Sequence, residues 1–116
     1  MKEMKKVEKK FQDCPVSHAL GIIGGKWSLL IIKEIGLEKR RFGELKRLIP
    51  EISEKMLIQE LKSLVNFGIL NRKAFKDIPP KVEYSLTKRG ESVLPIIAQI
   101  KAFGTEIMTK NINKEM

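Results

Sequence analysis

Apolar positions recur at helical spacing along most of this chain, and a few sharp breaks divide them into elements. From Pro15 onward, Val16, Ala19, Leu20 and Ile23 keep a three-to-four-residue rhythm until Gly24-Gly25 interrupts it. Pro15 suits a first helical position, where its missing N–H is not needed. A second helix is predicted from about Lys26, with Trp27, Leu30, Ile31 and Ile35 on one stripe. Phe42 falls in a short extended segment leading into a third helix, about Gly43 to Ile49, which carries Leu45, Leu48 and Ile49. Pro50 stops that helix. Ser53 then offers an N-cap for a fourth, which runs to the stop at Gly68. Met56, Leu57, Leu61, Leu64 and Val65 gather on one face of it, and Lys55, Gln59, Lys62 and Asn66 on the other.

Beyond Gly68, Leu70 to Lys76 and Val82 to Leu86 read as two strands joined by Asp77-Ile78-Pro79-Pro80-Lys81. The prolines stiffen the tip. Thr87 is a suitable N-cap for a final helix from about Lys88, in which Pro95 either introduces a kink or sits early enough to be tolerated. Val93, Ile96, Ile97, Ile100, Phe103 and Ile107 give that helix more apolar surface than one small core needs. The order from Arg41 to Gly90 is helix, turn, helix, basic hairpin. That is the α+β pattern of a winged helix-turn-helix, in which one helix enters a DNA major groove and the wing holds the backbone beside it.

Composition narrows the partner. A chain of 116 residues forms one domain with a modest core, and a net charge of +9 with pI near 9.8 favours a polyanion, either nucleic acid or an anionic membrane surface. The positive charges are bunched around the helix-turn-helix and the hairpin, so double-stranded DNA is the expected partner and a membrane is not. The lysine-rich lead over residues 1–12 has no apolar stretch behind it, so no secretory signal is expected. The longest aliphatic run, Leu29 to Ile32, is far short of a membrane span, and a single cysteine suits a reducing compartment. The cytoplasm is the expected location.

The outward face of the fourth helix is the candidate reading surface. Gln59 can make a paired contact to adenine, while Lys55 and Lys62 reach guanine or phosphate, and Asn66 extends the same face. Ser53, at the helix N-terminus, can donate to a phosphate. Lys39, Arg40, Arg41, Lys46 and Arg47 are expected on phosphates flanking the groove, and Arg72, Lys73, Lys76 and Lys81 on the wing. The plain alternative is that all of these are solvated surface residues. The apolar excess at Val93, Ile96, Ile97, Ile100, Phe103 and Ile107 is what a homodimer would bury; the competing possibility is a helix that only covers the back of the domain.

Several of these residues form an ordered series: Cys14-Pro15, Gly24-Gly25-Lys26-Trp27, Arg41-Phe42 with Glu44-Leu45, and Ile52-Ser53-Glu54-Lys55-Met56-Leu57. It continues with Gly68-Ile69-Leu70, Pro79-Pro80 with Val82-Glu83-Tyr84, Leu86-Thr87 and Gly90. In this series the chain resembles the bacterial HxlR-type winged-helix transcription regulators, which are MarR-like. The resemblance implies a homodimer built from terminal helices on an inverted-repeat operator. The winged-helix unit is expected over residues 13–110, with a flexible tail over 111–116. It does not specify an effector. Gly43 departs from the polar residue many such regulators carry there, and Gly36 to Lys39 lacks their glycine-centred turn.

Cys14 precedes a helix start with lysines nearby, and both features favour the thiolate. In several members of the resembled family a cysteine at this Cys-Pro position senses oxidants or electrophiles; the alternative is a small residue filling a helix-start pocket. His18 is the only histidine and has no companion ligands, so no metal is expected. Gly21 to Trp27 superficially resembles a phosphate loop, but its glycine spacing is one short and Trp27 replaces the required hydroxyl. No nucleophile–base pair stands out, so neither an enzyme nor a cofactor is expected. Two other functions fit the same fold: a winged-helix protein-interaction module and a weakly specific nucleic-acid binder.

Overall fold

The computed structural model describes residues 14–115. The expected charged lead over 1–12 lies outside the described residues. Two helices open the described chain, α1 (Pro15–Ile23) and α2 (Lys26–Ile35), followed by a short strand β1 (Arg40–Arg41) and α3 (Phe42–Leu48). The helix α4 (Glu54–Asn66), the strands β2 (Leu70–Phe75) and β3 (Lys81–Leu86), a one-turn α5 (Lys88–Glu91) and the long α6 (Leu94–Glu115) complete it. The sheet is antiparallel in the order β1-β3-β2. It is a winged helix-turn-helix with additional helices at both ends.

α2 is the hub because its apolar residues point in more than one direction. Ile31, Ile32 and Ile35 are fully buried, against Leu45 of α3, Leu57, Leu61 and Leu64 of α4, and Leu70 and Leu86 from the wing. Truncating any one of these to alanine would cost about 2–5 kcal/mol, the range for a buried aliphatic with partial relaxation. Ser28 is the one buried polar residue among those described, and its Oγ donates to Glu60 Oε2 at 2.9 Å. That bond ties α2 to α4.

Boundaries differ from the sequence expectation at the start of the third helix and within the final one. Phe42 is the first helical residue of α3 and not part of an extended segment; the extended pair is Arg40–Arg41. The Glu44 carboxylate accepts from the Arg41 backbone N–H at 2.9 Å, which moves the helix start one residue earlier in the chain. Leu48 is exposed and Leu45 carries that face. The expected final helix is two helices. Thr87 Oγ1 accepts from the Gly90 N–H at 3.0 Å to start α5, and the chain then turns at Ser92-Val93. Pro95 has no N–H for a continuing helix, so the break places it in the first turn of α6, where none is required.

The wing is anchored at its base. Gly68 takes φ +75, a conformation that strongly favours glycine, and leads directly from α4 into β2. The Thr87 backbone N–H donates to Ile69 O at 3.0 Å and its hydroxyl to Gly68 O at 2.6 Å, closing the hairpin. A Cβ at Gly90 would collide with the Ile69 carbonyl, so this close approach admits only glycine.

Candidate nucleic-acid interface

Ser53 starts α4 as the sequence requires: its Oγ accepts from the Met56 N–H at 3.1 Å. Lys55, Gln59, Lys62 and Asn66 are all exposed on the side away from the buried Leu57, Leu61 and Leu64. The fold thus brings together the five residues assigned to the reading face.

Strand register sorts the wing cations. Arg72 pairs with Tyr84, Lys73 with Glu83 and Phe75 with Lys81, so alternate residues fall on opposite faces. Arg72 and Tyr84 line a cleft of about 460 Å³ with Phe42, Ile58, Leu61, Lys62, Val65 and Asn66. This cleft runs between the reading helix and the wing. On the other face, the Lys73 and Lys81 ammonium groups lie 5.1 and 4.7 Å from the centre of the Phe75 ring. Lys81 Nζ is also 3.8 Å from Asp77 Oδ2, so it fastens the wing to its own tip. Lys76 is exposed at the tip.

The cations flanking the turn divide in the same manner. Lys39, Arg41 and Arg47 are exposed. Arg40 does not join them: its Nε donates to Glu34 O at 3.0 Å and its guanidinium sits 3.9 Å from Glu44 Oε2. It holds β1 against α2 and α3. Lys46 Nζ donates to Pro50 O at 3.2 Å, across the turn between α3 and α4.

In the turn that precedes α6, Val93 is only 5% exposed and belongs to the chain's own core, so it is withdrawn from the expected association surface. Ile97 packs partly against that core. Ile96, Ile100, Phe103 and Ile107 are exposed, Phe103 at 66%, and exposed Val16 and Leu20 on α1 add to the apolar surface of the terminal helices.

Cys14 is exposed and occupies the N-cap position of α1. The nearby Ser17 backbone N–H, Ser17 hydroxyl and Val16 backbone N–H, in that order, hold its thiol below the ordinary value. The lysines at its N-terminal side lie outside the described residues. His18 is exposed, and no metal-binding group of three His, Cys, Asp or Glu residues exists among the described residues. Among those residues no single helix is long and apolar enough to cross a membrane.

Sequence reasoning missed Ser28 and Glu60, which looked like ordinary residues on their helices, and it missed Phe42, Ile58 and Tyr84 in the cleft. The register brings Tyr84 beside Arg72, and the packing of the helices against the wing adds Phe42 and Ile58.

Comparison with known proteins agrees with this geometry. The profile of the HxlR-like helix-turn-helix family matches residues 22–112. The HTH-type transcriptional regulator YdeP of Bacillus subtilis is 42% identical over 94 residues, covering 81% of this chain and 73% of its own. A MarR-family transcriptional regulator from Porphyromonas gingivalis W83 superposes with TM-score 0.79 at 55% identity, covering 82% of this chain and 93% of its own. The redox regulator HypR in its oxidized form superposes with TM-score 0.77 at 41% identity, covering 80% and 96%. The relatives are transcriptional regulators and not enzymes.

Proposed function

The chain belongs to the family of HxlR-like helix-turn-helix transcriptional regulators, and from that membership we propose a homodimer that reads an inverted-repeat operator. In this assignment Ser53, Lys55, Gln59, Lys62 and Asn66 of α4 enter the major groove. Arg72, Lys76, Lys39, Arg41 and Arg47 hold the adjacent backbone. The observation that carries the proposal is the two-sided character of α4: Leu57, Leu61 and Leu64 are buried on one side, and Lys55, Gln59, Lys62 and Asn66 are exposed on the other, beside the cleft that Arg72 lines. Base edges give such a row its discrimination and phosphates give the surrounding cations their affinity. Two copies place their reading helices about one turn of DNA apart, roughly 34 Å, when the exposed apolar residues of α6 pair about a two-fold axis.

The test is selection of bound sites from random duplex DNA. The expected product is an inverted repeat with half-sites one helical turn apart. A pool that stays random after repeated rounds counts against sequence-specific reading and in favour of an electrostatic binder.

Cys14 supplies the input. Its exposure and depressed thiol pKa favour attack on oxidants and electrophiles. The similarity to HypR, a redox regulator seen in oxidized and reduced forms, supports the same role. With one cysteine per chain, oxidation ends in a disulfide between protomers or a mixed disulfide with a small thiol, and an electrophile gives direct alkylation. Mild oxidant is expected to change operator affinity in the wild type and leave Cys14→Ser unaffected. An oxidant-blind wild type removes Cys14 from the mechanism.

A further inference from the structure

Ile58 is an apolar residue in a polar place. It lies on α4 one turn after Lys55 and one turn before Lys62, next to Gln59, and its side chain is 47% exposed. The core of the domain does not need it, because Leu57, Leu61 and Leu64 complete the buried side of the helix. It sits instead at the edge of the cleft between α4 and the wing, whose lining continues into Phe42, Leu61, Val65 and Tyr84. Lys62, Asn66 and Arg72 line the same cleft. The result is a small apolar surface bordered by cations and an amide.

A DNA major groove offers one apolar feature to such a surface, the C5-methyl group of thymine; cytosine has no counterpart. The cations select the polyanion and Ile58 meets the only part of its base edges that is not polar. We propose that Ile58 is a specificity-determining residue that reads a thymine methyl in each operator half-site. Lys62 and Arg72 hold the strand that presents the methyl, and the Ile58 side chain distinguishes a T·A from a C·G pair by apolar contact. This assignment rests on the regulator function proposed above and adds a base identity to it.

The experiment uses the operator recovered by selection, with each thymine replaced in turn by deoxyuridine. The replacement removes one methyl group and keeps every hydrogen-bonding group. At one thymine per half-site the wild type is expected to bind about fourfold more weakly, the equivalent of one apolar carbon losing its contact. Ile58→Ala, which removes the contact from both half-sites, is expected to bind the thymine operator about sixteenfold more weakly and to show no further loss on the deoxyuridine operator. Its far-UV circular dichroism should match the wild type, which establishes that the variant is folded. An operator insensitive to deoxyuridine at every thymine overturns the proposal, as does a penalty that persists undiminished in Ile58→Ala. A selection that yields no consensus overturns the regulator assignment itself, a distinguishable failure.

Discussion

Ser17 shows how much a single short side chain can decide. Its backbone N–H and hydroxyl are the two largest influences holding the Cys14 thiol below its ordinary value. A lowered thiol pKa keeps the thiolate present to lower pH, and reactivity falls away only as pH drops through that value. Ser17→Ala removes the hydroxyl and keeps the N–H, so the midpoint of the pH–alkylation profile should move upward, toward ordinary cysteine. A profile that stays in place would show that the hydroxyl contributes nothing. At this scale the sequence conveys residue type and spacing but not the acceptor. Arg40 and Lys46 look identical to Arg41 and Arg47 as members of a basic cluster. What separates them is a backbone carbonyl, Glu34 O for Arg40 and Pro50 O for Lys46, brought into reach only by the folded chain.

The elements were the most legible level, because their signals are local. Ser53 caps α4, Gly68 ends it and Thr87 starts the next helix, each through the chemistry expected of that residue type. The exceptions trace to pairwise contacts. Glu44 draws the start of α3 back to Phe42, and Pro95 forces the break between α5 and α6. The wing was legible as a hairpin but not as two faces, since alternation fixes relative sides without saying which one meets the reading helix. Pairing of Arg72 with Tyr84 fixes that. Arg72→Ala should therefore weaken binding to all duplexes and make the slope of log affinity against log salt shallower by about 0.9, one phosphate contact. Lys73→Ala, on the opposite face, should change that slope much less. Equal effects would mean that DNA meets both faces of the wing.

For the molecule as a whole, the outstanding feature is apolar surface left uncovered at the terminal helices. Ile96, Ile100, Phe103 and Ile107 on α6 and Val16 and Leu20 on α1 are exposed in one chain, and patches of this kind mark association sites. The excess on α6 was visible in the sequence. Its division was not: Val93 belongs to the core because the turn at Ser92-Val93 directs it inward. Phe103→Lys should shift sedimentation from dimer to monomer and reduce operator affinity toward that for scrambled duplex. A variant that still sediments as a dimer would relocate the interface. With a net charge of +9, nonspecific attraction to DNA is expected in any case. Discrimination, and not affinity, is therefore the property that defines the regulator. The most direct test is titration of the wild type against the selected operator and a scrambled duplex at physiological salt. An operator bound at least about a thousandfold more tightly is the predicted result. Equal, steeply salt-dependent binding to both duplexes would contradict it.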